Sequence, residues 1–324
     1  MASNNSSMED TQKRSFGIIL RLTLGLLLLI LLIWNVSIDK LILSIAQTSL
    51  SYLFLAILYQ YASIFLGAFN QYILFTAFSN LPFKNFLTAY FNAYAFGLLL
   101  PSQIGDASIA YFLKSEGLYY SQTLSVYILD KFLTFILYVL VLFLFLGDII
   151  GYPKIIAFSS IIALGLSLSI AFYIIVRLTS SFPESWRESR LMRFVHNLSS
   201  HLVFFTKHHP FLLLINFFLT CFKLGLVMLC YHAMITSLNY SLSIWKVGSA
   251  ALASGIVGYI PVSIQGLGTV EAMALLNFKA LGVRPADVLA CYLVLRSNNY
   301  VAACMAYAAT CIAKKNKSTE RNIA

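Results

Sequence analysis

The stretch Pro261-Val262-Ser263-Ile264-Gln265-Gly266-Leu267-Gly268-Thr269-Val270-Glu271 lies between two apolar segments, residues 250–260 and 272–278. A proline, two glycines and a carboxylate do not make a plain helix that can face lipid. Broken backbone at membrane depth is tolerated only inside protein or beside a water-filled cavity. An ionisable residue at that depth is a candidate functional residue by default. A shorter version, Pro101-Ser102-Gln103-Ile104-Gly105-Asp106, occurs earlier in the chain. Each copy is followed by a basic residue in the next apolar segment. Lys131 stands 25 positions after Asp106, and Arg296 stands 25 positions after Glu271. Two broken segments in corresponding places of two halves point to a transporter-type site.

Composition sets the membrane context for these breaks. The 324 residues are 60% hydrophobic and 10% charged, with a mean hydropathy of +0.82. Long apolar runs at that level mean transmembrane helices. The formal net charge of +10 does not point to nucleic acid, because most basic residues flank apolar spans as topology signals do. Cys221, Cys230, Cys291, Cys304 and Cys311 all lie in apolar spans without CxxC or Cys/His spacing. Buried thiols are expected there, and no metal or cofactor.

In chain order, residues 1–15 are polar and read as a disordered cytoplasmic tail. Residues 16–36 form a first span. No small-residue cleavage site follows it, so it is expected to be a retained helix. Residues 39–49 read as an interfacial segment and 51–72 as the second span. Residues 86–100 are too short to cross a core of ~30 Å comfortably. They run into the break at 101–106 and a return over 107–113, and Lys114-Ser115-Glu116-Gly117 marks an exit to water. Residues 124–146 form a span carrying Asp130 and Lys131, and 155–176 another. The basic stretch 177–209 contains an interfacial amphipathic helix over 191–205. Residues 211–235 span with Lys223 inside. A second short piece, 244–260, leads into the break at 261–271, with a helical return over 270–281. The last span, 286–313, carries Arg296, and 314–324 form a basic cytoplasmic tail.

Placing both tails and the 177–209 loop in the cytoplasm, by the excess of Lys and Arg there, fixes the direction of every span. Residues 86–113 must then enter and leave on the cytoplasmic side, and 244–281 on the outer side. The fold class is an all-α polytopic membrane protein with about six full transmembrane helices and two re-entrant helical hairpins. Half one (16–150) and half two (151–313) form an inverted repeat inside one membrane domain, 16–313. Eight full spans remain the alternative. Lys40, Lys154, Lys246 and Arg284 fall outside, while Lys131, Lys223, Lys279 and Arg296 fall within apolar segments.

Lys131 and Arg296 each lie roughly ten residues into their helices, or ~15 Å at ~1.5 Å per residue, near the centre of the core. Asn216, Thr220 and Lys223 form one stripe at i, i+4 and i+7. Arg296 and Asn299 share a face. A midplane Lys or Arg exposed to lipid costs several kcal/mol, so these side chains face inward, with Asp106, Asp130 and Glu271 as expected partners. Buried ion pairs that merely hold the bundle together are the competing reading. Lys279 is close enough to Arg284 to snorkel outward. Gly266 and Gly268 could let backbone N–H groups approach an anion, with the helix starting near Thr269 aimed at it. Glu271 could instead cap that helix. There is no HExxH, no GxSxG and no DDxxD-type carboxylate pair. His196, His201, His208 and His209 read as surface or interface residues.

Leu100-Pro101-Ser102-Gln103-Ile104-Gly105-Asp106 with Tyr111-Phe112-Leu113-Lys114, and Ile260 through Glu271 with Leu281-Gly282-Val283 and Leu295-Arg296, resemble the two patterns of a known family. It is the transmembrane region of lysylphosphatidylglycerol synthases and its stand-alone flippase-like relatives. Asp106 stands where Glu is usual, and Gln265 where a smaller residue is common. The resemblance implies translocation of a lipid or lipid-linked group between leaflets, and a cell-membrane location. The partner is then a membrane lipid, either a phospholipid or a polyprenyl-phosphate-linked one. The soluble aminoacyl-transferase part of bifunctional members is absent from this sequence, so that synthetic activity is not expected.

The expected function is a flippase-like, non-enzymatic transporter. Lys131, Lys223 and Arg296 neutralise an anionic headgroup, with Asp106, Asp130, Glu271, Gln265 and Asn299 around them. Pro101, Gly105, Pro261, Gly266 and Gly268 act as backbone hinges. No ATP motif is present. Alternatives are a non-catalytic membrane subunit of a lipid-modifying or glycosyl-transferring enzyme, with a soluble transferase partner, and a membrane enzyme using the Asp/Glu/Arg cluster.

Overall fold

The computed structural model describes residues 2–98, 106–150, 190–260 and 262–323, together with residues 173 and 177. The expected break at 101–105 lies outside the described residues, as do nearly all of the expected span 155–176 and Pro261. Every regular element among the described residues is a helix. Four of these helices are long and apolar enough to cross a membrane: 19–36, Leu50–Phe75, 120–145 and Pro210–Thr236. The chain is an all-α polytopic membrane protein.

Helix α1 (Ala2–Val36) is helical from its second residue. Residues 2–15, expected to be disordered, continue the helix through the good helix formers Met8, Glu9, Gln12, Lys13 and Arg14. Ser37, at φ 77°, breaks the helix and starts α2 (Ile38–Ala46) at an angle. Helix α2 buries Leu41 and Ser44 and leaves Ile42 and Leu43 exposed, as a helix lying along an interface does.

Helix α3 (Leu50–Phe75) and helix α8 (Pro210–Thr236) make the most extensive helix pairing. Their contact faces are polar or small. Gln60, Ser63, Gly67, Asn70 and Gln71 are buried on α3, and Asn216 and Thr220 on α8. The outward faces are apolar: Phe54 is 70% exposed and Phe218 62%, a pattern that suits lipid as the outer solvent. The cysteines divide in the same way. Cys230 and Cys291 are buried as expected, whereas Cys221 and Cys304 are exposed, because a thiol is apolar enough to sit on a lipid-facing surface. Helix α6 (Tyr120–Ile150) packs alongside α3 and α8.

Two shorter helix pairs are inserted into this frame. In the first, α4 (Phe83–Gly97) packs on a 3-10 turn, Asp106–Ser108, and on α5 (Ile109–Lys114). In the second, α9 (Ile244–Gly255) continues as a 3-10 turn, Ile256–Tyr259, and packs on α10 (Thr269–Lys279). The lengths are 15, 6, 12 and 11 residues. At ~1.5 Å per residue all fall short of a ~30 Å core.

The pairs open at opposite ends of the bundle. At one end, the Ser49 N–H donates to the Ser237 carbonyl (3.3 Å), and the Tyr240 hydroxyl donates to Asp287 (2.6 Å). That end gathers the α2–α3, α8–α9 and α10–α11 connections, where α11 is Pro285–Ile323. At the other end, Asn85 donates to Glu116 (2.9 Å). There Phe78 packs on His201 and Phe204 of α7 (Arg190–His208), the amphipathic helix expected around 191–205. Each short pair has its own core: Phe75, Phe86, Leu113 and Val126 around the first, and Val247, Ala250, Phe278 and Leu295 around the second.

Candidate functional site

The inner ends of the two pairs touch. The Gln265 side-chain amide donates to the carbonyl of Gly97, the last residue of α4, at 2.7 Å. On either side of this contact lies a chamber, one of about 300 Å³ and one of about 360 Å³. Ser63, Ile64, Tyr94, Leu98, Gly255 and Gln265 belong to the walls of both, so the chambers adjoin.

Asp130, Lys131 and Lys223 line chamber one. Asp130 is 2% exposed, and three neutral amides hold its carboxylate: Asn70 (3.3 Å), Gln71 (3.2 Å) and Asn216 (3.1 Å). Asn70 also donates to the Thr220 hydroxyl at 2.9 Å. Buried carboxylates need such donors, because a bare charge away from water costs far more than the hydrogen bonds contribute. The Asn216–Thr220–Lys223 stripe therefore divides by depth. Its first two members fix Asp130 and its neighbours, and its third reaches the chamber. The Lys223 stem runs past Gly67, where an added methyl would stand 3.5 Å from the lysine Cδ. The Lys131 ammonium lies 5.5 Å from the centre of the Tyr127 ring.

Chamber two is lined by Glu271, Arg296 and Asn299. Arg296 Nε donates to Glu271 Oε1 at 2.6 Å, and Arg296 Nη1 donates to the Gln265 carbonyl at 3.2 Å. The other Glu271 oxygen accepts the Gly268 N–H at 2.7 Å. One carboxylate thus caps α10 and pairs with α11, and one guanidinium holds the broken backbone. Asn299 accepts from Gln60 (2.7 Å) and Tyr94 (3.0 Å), which ties α3, α4 and α11 together.

Of the two readings left open for the break, this geometry matches the one in which Glu271 caps the helix. The Gly268 N–H is taken by Glu271, whose carboxylate occupies the start of α10. Gly268 has φ 77°, and a Cβ there would come 2.7 Å from the Gly25 carbonyl oxygen of α1. Gly266, at φ 66°, would drive a Cβ to 2.5 Å from Val270 Cγ2. Both positions need glycine for left-handed backbone and close packing. Gln265 shares that conformation, at φ 50°, without being glycine. Strained backbone of this kind persists only where surrounding contacts fix it, and here the Gly97 and Arg296 bonds do so.

Lys131, Lys223 and Asp130 meet in chamber one, Arg296, Glu271 and Asn299 in chamber two, and Gln265 borders both. Asp106 opens the 3-10 turn before α5, and its side chain lies outside the described residues, as do Pro101 and Gly105. Lys279 is exposed and away from both chambers. Four polar residues were not singled out by the sequence pattern: Gln60, Asn70, Gln71 and Tyr94. Gln60, Ser63, Gly67 and Asn70 recur at helical spacing through an apolar helix, and that stripe was the available signal. Among the described residues, no group of three or more His, Cys, Asp or Glu forms a metal cage.

No curated protein matches the chain. A family model described as the lysylphosphatidylglycerol synthase TM region matches residues 18–306, which takes in both short helix pairs and both chambers. The chain belongs to the family of the lysylphosphatidylglycerol synthase TM region.

Proposed function

We propose that the chain is a flippase-like transporter that carries an anionic lipid headgroup between leaflets through the two adjoining chambers. The observation that carries this reading is the charge of chamber one. Among the described residues its walls hold two cations, Lys131 and Lys223, and one carboxylate, Asp130, which accepts from three neutral amides. The lining is therefore net positive. An anionic headgroup in hydrocarbon faces a large desolvation cost, and fixed inward-facing cations lower it. A plain scaffold would bear the cost of those cations without that gain.

In this reading Lys131 and Lys223 receive the phosphate, while the acyl or isoprenyl chains stay in the surrounding lipid. Asp130 offsets one of the two lysine charges when the chamber is empty. Arg296 and Glu271 hold the broken segment 261–271 in shape. The short pairs act as re-entrant hairpins of two inverted halves, 16–150 and 151–313. Their contact at Gln265 and Gly97 forms the constriction between chambers. The membrane is the cell membrane, with both termini cytoplasmic.

The test is leaflet exchange in liposomes, read by dithionite quenching of fluorescent phospholipids and polyprenyl phosphates. Purified protein should speed at least one anionic lipid above the protein-free rate, with or without an imposed proton gradient. If every lipid stays at the protein-free rate in a folded preparation, a non-catalytic subunit of a lipid-modifying or glycosyl-transferring enzyme becomes the better reading.

A further inference from the structure

A separate groove of about 740 Å³ lies where α1, α2, α10 and the start of α11 meet. Its walls are apolar, with Leu32, Val36, Leu43, Leu275 and Leu276 among them. Its rim is not. Lys40 comes from α2, Lys279 from the end of α10, and Arg284 from the turn before α11. All three cations are exposed. Asp287 accepts two bonds from Arg284, at 2.7 and 3.3 Å, yet the Arg284 side chain remains 65% exposed. No carboxylate belongs to the groove walls among the described residues.

We propose that this groove binds an anionic glycerophospholipid of the surrounding bilayer, at a site separate from the two chambers. Charge complementarity selects the headgroup: three cations from three elements converge on one rim, where a phosphate would sit. The walls select a lipid over a soluble anion, since acyl chains fit beside Leu32, Leu275 and Leu276. Asn35 and Gln47 add hydrogen-bonding groups to the groove lining. The position agrees as well. Leu43 and Leu276, both in the groove walls, are exposed, so lipid is their natural neighbour. A lipid held there bridges α2 to α10, the helix whose first turn holds Glu271. This site stands whether or not the chambers move lipid.

A tryptophan placed in the groove wall provides the probe. A variant with Trp34→Phe, Trp186→Phe, Trp245→Phe and Leu276→Trp carries it as the only tryptophan. Nanodiscs of phosphatidylcholine would carry a small fraction of brominated phosphatidylglycerol or, in parallel, of brominated phosphatidylcholine. The anionic lipid should quench this tryptophan several-fold more strongly at equal fraction. Adding Lys40→Gln and Lys279→Gln, both exposed positions, should bring that preference close to one. Equal quenching by the two lipids would overturn the proposal and leave an ordinary lipid-facing surface. Quenching by neither would also overturn it, and would indicate a protein surface, such as a second copy of the chain, covering the groove. The wild-type lipid preference stands as a test even if the lysine variant folds poorly.

Discussion

The two chambers hold similar residue types in opposite ways. In chamber two the cation and the carboxylate consume each other: Arg296 and Glu271 pair at 2.6 Å, and each also binds backbone of the broken segment. In chamber one the carboxylate is met by Asn70, Gln71 and Asn216, and the lining carries two lysines. A buried charge pair with backbone bonds on both partners works as a brace. Among the described residues, a lining with two cations to one amide-bound carboxylate keeps a net positive charge. The same sequence signal, a basic residue deep in an apolar helix, therefore serves shape in one chamber and, in our reading, ligand in the other.

Removing one side of the brace tests this contrast most severely. Arg296→Ala leaves Glu271 buried without its charge partner and should cost about 3–5 kcal/mol, seen as a lower melting temperature in detergent. Adding Glu271→Gln should recover part of that loss, because a glutamine oxygen can still accept the Gly268 N–H. Strictly additive losses would mean that the two residues do not act as a pair. Gly268→Ala comes next. Its φ of 77° and the 2.7 Å approach to the Gly25 carbonyl predict a cost of roughly 2–3 kcal/mol. Gly225→Ala, where nothing lies within 4 Å of the added methyl, should be neutral or slightly stabilising.

In chamber one the expected losses are smaller. Asn70→Ala removes donors to Asp130 and Thr220 and should cost about 1–3 kcal/mol. Lys131→Gln and Lys223→Gln should each shift stability by less than about 1 kcal/mol, because both side chains border a cavity and glutamine keeps a polar end there. A loss from either lysine as large as that from Arg296→Ala would erase the difference between the chambers. The smallest effect is expected at the contact between the pairs. Gln265→Gly relieves the left-handed strain and deletes the bond to Gly97, two opposing changes of about 1 kcal/mol each. Its melting temperature should barely move, while a cysteine at Ser63, between the chambers, should label faster.

Much of this was legible in the sequence. Helices too short to cross announced the two short pairs, and depth within the helix placed Lys131, Lys223 and Arg296 inside. The partnership of Glu271 with Arg296 followed from two buried charges of opposite sign in adjacent segments. The partners of Asp130 did not stand out, because Asn70 and Gln71 carry no charge and sit in a helix dominated by apolar residues. Nor did the packing of Gly268 on Gly25, or the bond from Gln265 to Gly97. Both join segments far apart in the chain, and no local periodicity encodes them. The sequence left the GxG open between an anion cradle and a helix capped by Glu271, and the bond from the Gly268 N–H to Glu271 matches the cap.

The most direct measurement compares leaflet exchange of an anionic lipid by two double variants. Lys131→Gln/Lys223→Gln empties chamber one of its cations, whereas Glu271→Gln/Arg296→Gln removes the brace from chamber two without changing its net charge. Both are reconstituted only from fractions that melt cooperatively, and dithionite quenching reads the rate. The lysine variant should fall to the protein-free rate at near wild-type stability, while the brace variant should be less stable but still exchange lipid. Wild-type exchange by the lysine variant, with loss confined to the folded brace variant, would contradict the division of roles between the chambers.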